Sequence, residues 1–231
     1  IGPFEVVGEL ARGGQGVVLR ARHVATGAPA ALKLLLRPTD RGLRRFKQEV
    51  AVLERIQHPN LVRVCDHGED GATPWVAMEL VEGESLRQRL DARGPLPAPE
   101  AAATLAAVAR ALQACHDHGV VHRDVKPENI ILERASGRPV LVDLGLARRD
   151  REQFGELSID DRSRLSRTGE LRGTPAYMAP EQVAPERWGE VGPLTDVYAL
   201  GVTLFVALTG AQPVEADSLP GLFRAILEDP P

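Results

Sequence analysis

The segment HRDVKPEN at residues 122–129 constrains the fold of this chain more than any other part of its sequence. It places an acid, Asp124, shortly before a lysine, Lys126, and an asparagine, Asn129. A carboxylate can take a proton from an attacking hydroxyl, a lysine can neutralise a phosphate, and an asparagine oxygen can bind a metal ion. A second metal-ligand candidate, Asp143, ends the apolar run VLVD farther along. Phosphoryl transfer needs these groups for positioning and charge neutralisation, so the fold must bring them together.

Bulk composition excludes several classes of protein. The chain has 231 residues and 43% hydrophobic content, enough to bury a core as one domain or two lobes. Its net charge of −4 provides no basic field, so we expect no nucleic-acid partner. No apolar run approaches the roughly 20 residues of a membrane span, and no signal peptide opens the chain. Cys65 and Cys115 form no metal or disulfide pattern and are interpreted as reduced core residues of a cytoplasmic domain; any membrane anchor of a longer parent protein would lie outside this chain.

The order of β-rich and helical patterns predicts two lobes. Short β-rich runs separated by turns predict strands at residues 4–10, 17–23, 29–36, 61–67 and 75–80, with a helix at 44–56 between the third and the fourth. Helical patterns follow at residues 85–93, 98–118, 196–209 and 219–227, with a small β-ribbon at 129–132 and 140–142. We therefore predict an α+β, bilobal fold, with a β-rich lobe at residues 1–80, a hinge at 81–84 and a mainly helical lobe at 85–231.

Glycines mark the predicted turn between the first two strands, in the sequence Leu10-Ala11-Arg12-Gly13-Gly14-Gln15-Gly16-Val17-Val18. A glycine hairpin lets backbone amides approach phosphates, although most such hairpins are only turns. Lys33 follows on the third predicted strand, and Glu49 on the next helix can supply the acid that holds it in a cleft. A lone Lys–Glu pair is usually a surface ion pair. Here the hairpin, Asp124 and Asp143 occur in register with the pair along the chain, which favours a role for the pair in the nucleotide site.

Together these residues resemble the catalytic domain of bacterial serine/threonine protein kinases of the eukaryotic type, across essentially all 231 residues. The resemblance implies that ATP and Mg²⁺ are the cofactors. Lys33 would anchor the α- and β-phosphates, and Glu49 would orient Lys33. Asn129 and Asp143 would hold two Mg²⁺ ions, while Asp124 would receive the substrate hydroxyl.

The resemblance also implies a nucleotide pocket between the lobes. Its hairpin side would consist of Leu10, Ala11, Gly13, Gly14 and Gly16, and its adenine side of Val18, Ala31, Met78, Glu79, Val81 and Leu132. Met78 resembles the residue that closes the back of the adenine pocket. The backbones of Glu79 and Val81 are expected to hydrogen-bond the adenine edge. The apolar side chains would sandwich the ring, and ordinary core packing is compatible with that role.

Two further features resemble serine/threonine kinases more than tyrosine kinases. Lys126 has the serine/threonine pattern, and the segment GTPAYMAPE at 173–181 resembles the floor of a serine/threonine substrate site. There Thr174 would hydrogen-bond Asp124 and Lys126. The implied partners are therefore protein substrates with serine or threonine acceptors. Asp196 resembles the acid that braces the backbone of the catalytic segment.

Activation is expected to involve phosphorylation of the segment that follows Asp143. Arg123 resembles an arginine that binds a phosphate on this segment and so orders it. Thr168 and Ser166 are the candidate autophosphorylation sites, although they would equally serve to solvate a loop. Phosphorylation of one copy by another would require a transient homodimer.

Some features depart from the family pattern. Ala11 replaces the first hairpin glycine, and Gln15 replaces the usual aromatic residue at its tip. The large lobe resembles a C-terminally truncated one, which predicts that Glu181 lacks its usual arginine partner and is partly unpaired. A pseudokinase, which is a binding module, is therefore an alternative. A small-molecule phosphotransferase is a weaker one, because Lys126 and the segment at 173–181 do not fit it.

Overall fold

A computed structural model describes residues 1–13, 16–35, 40–71, 73–143 and 174–228 of the chain. The small lobe contains an antiparallel sheet of β1 (Phe4–Gly13), β2 (Gly16–His23), β3 (Pro29–Leu35), β4 (Val64–Asp70) and β5 (Thr73–Glu79). The strands lie in the order β1-β2-β3-β5-β4, which makes β1 and β4 the edges. Helix α1 (Asp40–Leu53) lies between β3 and β4 in sequence.

The two faces of this sheet have different neighbours. Val18 of β2 pairs with Lys33 of β3, and Arg20 pairs with Ala31, so these four side chains share one face. The opposite face, around Leu32, packs into an outer apolar cluster of the small lobe. The face that carries Lys33 therefore points away from that cluster and toward the large lobe.

The large lobe is mainly helical. Its described elements are β6 (Gly83–Ser85), α2 (Leu86–Arg93), α3 (Ala98–His116), β7 (Ile130–Glu133), β8 (Pro139–Leu141), α4 (Pro180–Val183), α5 (Pro185–Trp188), α6 (Pro193–Thr209) and α7 (Leu219–Glu228). Strands β6, β7 and β8 form a second antiparallel sheet. The longest helices, α3 and α6, pack together and bury Val108, Leu112, Val202 and Val206 in the main core.

The segment between α1 and β4 is bonded to the large lobe. The N–H of Val62 donates to the carbonyl of Leu141 at 2.9 Å, and the N–H of Leu141 donates to the carbonyl of Asn60 at 2.8 Å. The Asn60 side chain adds a bond from Nδ2 to the carbonyl of Pro139, also at 2.8 Å. Because Asp143 follows β8 after a single residue, Val142, these bonds fix the strand that presents it.

The predicted strands and helices are present, with ends that differ by a few residues. The β-ribbon beside the catalytic segment is confirmed as the antiparallel pair β7–β8. Gly83 and Glu84, two residues of the predicted hinge, lie in β6. A Cβ at Gly83 would lie 2.1 Å from the carbonyl oxygen of Leu132, so only glycine lets β6 come this close to β7.

The prediction for the cysteines is half wrong. Cys115 is fully buried, as expected, whereas Cys65 is exposed. The pairing of β4 with β5 passes from Val64 to Asp66, which leaves Cys65 as the extra residue of a β-bulge on an edge strand. Among the helices of the described ranges, none has both the length and the hydropathy required to cross a bilayer.

Candidate active site

Asp124 lies at the centre of the loop that joins α3 to β7. Its side chain is almost buried, and its Oδ2 atom is 3.0 Å from Nζ of Lys126. Asn129, at the end of a short 3₁₀ turn, donates from Nδ2 to the Asp124 carbonyl at 2.8 Å and to Oδ2 at 3.1 Å. The three residues that the sequence placed in one motif are therefore in direct contact, and the carboxylate of Asp124 has a fixed orientation.

A second acid holds the backbone of this loop. Asp196, in the first turn of α6, is fully buried and accepts hydrogen bonds from the N–H of His122 at 2.8 Å and of Arg123 at 2.7 Å. His116 Nε2 donates a third bond to it at 2.7 Å. Arg123 has a φ of 65°, a left-handed conformation that is costly for a residue with a side chain. The bonds to Asp196 offset that cost, which confirms the predicted bracing role.

His122 connects the catalytic loop to the strand that leads to Asp143. The ring is fully buried, its Nε2 lies 3.1 Å from the carbonyl of Val142, and its Nδ1 lies 3.3 Å from the N–H of Asp124. A carbonyl only accepts and an N–H only donates, so these contacts require a proton on Nε2 and none on Nδ1. The neutral ring therefore links the backbone at Asp124 with the residue directly before Asp143.

Lys33 and Asp143 form an ion pair across the cleft between the lobes. Lys33 on β3 is 5% exposed, and Asp143 has a φ of 60°. Burial tends to raise the pKa of Asp143, but the charge and hydrogen bond of Lys33, with a smaller contribution from Lys126, lower the pKa below its ordinary value. Glu49, the predicted partner of Lys33, lies on α1 with its side chain outside the described residues.

The residues near Asp124 fit a magnesium site that is shared with a phosphate ligand. Both side-chain hydrogen bonds of Asn129 are made by its nitrogen, so its Oδ1 is the oxygen that suits a metal ion. Asp143 adds a carboxylate. The described residues contain no cluster of three or more His, Cys, Asp or Glu side chains suited to a metal. Such a sparse set suits Mg²⁺, which is usually held by one or two protein groups together with water and phosphate oxygens.

The predicted adenine side of the pocket is formed by the middle of the small-lobe sheet and by β7. Ala31 of β3 pairs with Met78 of β5, whose side chain is buried. Leu132 lies on β7, in the large lobe. The N–H of Glu79 donates to the carbonyl of Arg63 at 2.9 Å. The predicted hydrogen bond between the Glu79 backbone and the adenine edge would therefore have the Glu79 carbonyl oxygen as its acceptor.

The predicted phosphate hairpin is the turn between β1 and β2. Ala11 pairs with Val18, and the register continues to Gly13 opposite Gly16, while Gly14 and Gln15 lie outside the described residues. A Cβ at Gly16 would lie 2.2 Å from the carbonyl oxygen of Leu34. Glycine is therefore required at position 16 by the close approach of β3, whether or not this residue also binds phosphate. Leu10 on β1 is 43% exposed.

Other predicted site residues have mixed outcomes. Thr168, Ser166 and the side chain of Thr174 lie outside the described residues. The Glu181 carboxylate, predicted to lack its usual arginine partner, accepts a hydrogen bond from Thr195 Oγ1 at 2.5 Å. The threonine belongs to α6, so this contact depends on tertiary structure and is not visible in the motif.

Two supporting residues were missed from the sequence. His116, at the end of α3, bonds Asp196, and Gln182 of α4 donates from Nε2 to the carbonyl of Arg123 at 3.1 Å. No motif marks either residue, since both act on the catalytic loop from other elements. The one available signal was a histidine in the last turn of a helix that leads into the catalytic segment.

Comparison with known proteins agrees with this geometry. The sequence profile of the protein kinase domain matches residues 4–229. The chain is 37% identical over 237 residues to the serine/threonine-protein kinase pkn3 of Myxococcus xanthus, covering 99% of this chain and 42% of that protein. It is 39% identical over 218 residues to the serine/threonine-protein kinase PknL of Mycobacterium tuberculosis strain H37Rv, covering 93% of this chain and 51% of that protein. The chain thus spans about half the length of these relatives, or less.

A solved structure shares the fold. The crystal structure of Rad53 1–466 in complex with AMP-PNP superposes with a TM-score of 0.77 at 25% sequence identity. The superposition covers 97% of this chain and 53% of the Rad53 chain. An antiparallel sheet lobe, a helical lobe and the cleft between them are therefore common to both molecules.

Proposed function

Because this chain belongs to the protein kinase domain family, we propose that it is a protein serine/threonine kinase that transfers the γ-phosphate of ATP to protein hydroxyl groups. The observation that carries the proposal is the contact of Asp124 with Lys126 and Asn129 in the large lobe, where Asp143 also lies and pairs with Lys33 across the cleft. A proton acceptor, two cations and two oxygen ligands for a metal thus surround one space.

The proposed transfer is direct. The acceptor oxygen forms a bond to the γ-phosphorus, the bond from that phosphorus to the β,γ-bridging oxygen breaks, and ADP leaves. Asp124 takes the hydroxyl proton, because it is the carboxylate held in a fixed orientation beside Lys126. Lys126 and Lys33 counter the negative charge of the phosphates. Mg²⁺, when bound, neutralises phosphate charge, and Asn129 Oδ1 and the Asp143 carboxylate are the groups that would hold it.

The acceptor class is proposed from the relatives and from the sequence of the catalytic loop. Both bacterial relatives are named serine/threonine-protein kinases, and Lys126 lies beside Asp124 as in that class. A pure binding module is disfavoured, because Lys33, Asp124, Asn129 and Asp143 are all retained, with Lys33 paired to Asp143 and Asn129 bonded to Asp124.

Regulation and location are further parts of the proposal. We propose that the chain autophosphorylates at Thr168 or Ser166 and that Arg123 binds the resulting phosphate. One copy would phosphorylate another within a transient homodimer. We also propose that the domain works in the cytoplasm, where ATP is available and thiols stay reduced. Both cysteines of the chain are free, in keeping with such a compartment.

Intact-mass spectrometry with Mg²⁺ and ATP tests the activity. The wild-type protein should gain phosphate on itself and transfer it to casein, with phosphoserine and phosphothreonine but no phosphotyrosine after hydrolysis. An Asp124→Asn variant should gain none. A matched Asp117→Asn variant makes the same chemical change at the end of α3, away from the cleft, and should behave as the wild type.

The outcomes separate the candidates. Nucleotide binding without transfer of phosphate to the chain itself or to casein would indicate a binding module. Transfer by Asp124→Asn at the wild-type rate would remove Asp124 from the mechanism while leaving the kinase activity in place. Phosphotyrosine as the main product would overturn the acceptor class.

A further inference from the structure

An ion pair with two hydrogen bonds joins Arg20 and Glu82, and none of the roles above uses it. The Arg20 guanidinium donates from Nη1 to Oε1 of Glu82 and from Nη2 to Oε2, the second bond at 3.1 Å. The parallel geometry matches a guanidinium fork on a carboxylate, which fixes both side chains better than a single contact does. The two residues are 62 positions apart, so the contact exists only in the folded protein.

The arginine end of the pair lies on the cleft face of the small lobe. Arg20 is opposite Ala31 in the β2–β3 register and shares a face with Val18 and Lys33. Lys33 reaches Asp143 in the large lobe from that face. The Arg20 side chain therefore lies on the same face as the residues proposed to cover the adenine ring.

The glutamate end belongs to the large lobe. Glu82 directly follows Val81, the residue proposed to contact the adenine edge. Its carbonyl accepts a hydrogen bond from the N–H of Arg134 at 2.8 Å, and the next residue, Gly83, begins β6. Glu82 is thus anchored to the sheet of the large lobe, and the ion pair connects the two lobes beside the adenine-binding backbone.

We infer that Arg20 and Glu82 form a clasp across the mouth of the nucleotide cleft that slows nucleotide release. The inference rests on the proposed kinase function. A nucleotide held between β2 and the segment at 81–82 leaves most easily when the lobes separate there, and separation breaks the clasp. Both side chains are partly exposed, and exposed pairs are weak, so the expected change in release rate is about two- to fivefold.

Stopped-flow release of a fluorescent mant-ADP with Mg²⁺ at low salt tests the clasp. Arg20→Gln and Glu82→Gln should each speed release about two- to fivefold. The double charge swap, Arg20→Glu with Glu82→Arg, should restore a rate near that of the wild type. The direction of the rate change in the two Gln variants distinguishes the clasp from a simple effect of charge. If the charges acted only through their field on an anionic nucleotide, Arg20→Gln would speed release and Glu82→Gln would slow it.

Two controls isolate the position of the pair. Lys47→Gln breaks another exposed ion pair of the small lobe, with Glu69 at 2.7 Å, that does not cross the cleft, and it should leave release unchanged. In 1 M salt, where charges are screened within about 3 Å, the wild type and the two Gln variants should release at the same rate.

The results distinguish the clasp from the function on which it rests. No mant-ADP binding by the wild-type protein would overturn the proposed function. Binding by the wild type with unchanged release in Arg20→Gln, or with opposite effects in the two Gln variants, would overturn the clasp alone. The clasp would also be overturned if Lys47→Gln accelerated mant-ADP release equally, or if the double charge swap failed to restore the wild-type release rate.

Discussion

Asp124 and Lys33 lie on opposite sides of one cleft but are held there by different means. The loop around Asp124 is fixed by Asp196, whose side chain is fully buried and whose three hydrogen bonds all lie within the large lobe. Lys33 is held by an ion pair with Asp143, which joins one lobe to the other. The first arrangement needs only the core of the large lobe, whereas the second needs both lobes at the right separation.

The difference indicates how the site is assembled. Hydrogen bonds to a buried carboxylate hold the proton-accepting loop without any contribution from the small lobe, as pre-organisation requires. The pairing of Lys33 with Asp143 depends on the separation of the lobes, so we expect this to be the half that a ligand or a phosphorylated segment influences. Four changes test this division, from the largest expected effect to the smallest.

Replacing Asp124 tests the half that is always in place. Asp124→Asn should lower kcat by about 10²- to 10⁴-fold, because the proton acceptor is lost while the loop geometry persists. The nucleotide Kd, measured by calorimetry, should stay within about twofold of the wild type. Asp117→Asn is the matched control. A rise in nucleotide Kd that parallels the loss of kcat would show that the two halves are not separate.

Replacing Asp196 tests what holds that half. Asp196→Asn should lower the free energy of unfolding by about 3 kcal/mol, since it leaves buried N–H donors of His122, Arg123 and His116 without enough acceptors. Urea unfolding followed by circular dichroism measures the loss. Asp91→Asn removes an exposed acid from an ion pair with Arg87 and should cost less than about 1 kcal/mol. Equal losses in the two variants would contradict the bracing role.

Replacing Lys33 tests the half that depends on both lobes. Lys33→Met should lower kcat/KM by about a hundredfold, because it removes a positive charge that would counter the phosphates from a buried position. Its unfolding free energy should change by less than that of Asp196→Asn. Lys47→Met, on the exposed side of α1, should have normal kinetics. A stability loss as large as that of Asp196→Asn would place Lys33 in the structural framework of the protein.

The pH dependence of stability gives the smallest effect. The pKa of Asp143 is lowered from its ordinary 3.8, so its ionised form favours the folded state above that pH. The stability difference between wild type and Asp143→Asn should therefore be full above about pH 5 and should shrink as the pH falls through the lowered pKa. Urea unfolding across an acidic pH series measures it. In a Lys33→Met background the pH-dependent part should largely disappear, and its persistence would argue against Lys33 as the cause.

The local parts of the fold and site were predictable from sequence. The strands β1 to β5 follow from β-rich runs between turns, and the contacts among Asp124, Lys126 and Asn129 follow from one short motif. Such features depend on neighbouring residues. For Asp196, the resemblance to a family supplied the bracing role before any geometry was known.

The parts that were not predicted depend on long-range contacts or on local irregularity. A bulge in an edge strand exposes Cys65 although its run is β-rich, and close approach of two strands places Gly83 in β6, a strand that the sequence pattern did not indicate. Thr195 reaches Glu181 from another helix, and Arg20 meets Glu82 across the cleft. No periodicity in the sequence encodes such pairs, because the partners come together only after the lobes have formed.

The backbone bonds between residues 60–62 and β8 join the two lobes, and we expect the lobes to fold together for this reason. A fragment cut after residue 80 would carry the carbonyl of Asn60 and the N–H of Val62 without their partners at Leu141. Open backbone groups of this kind recruit a matching strand. We therefore expect residues 1–80 and 81–228, produced as separate polypeptides, to behave as halves of a split protein that recombine through this seam. The two lobes would then be able to move relative to each other about the hinge, although they fold together.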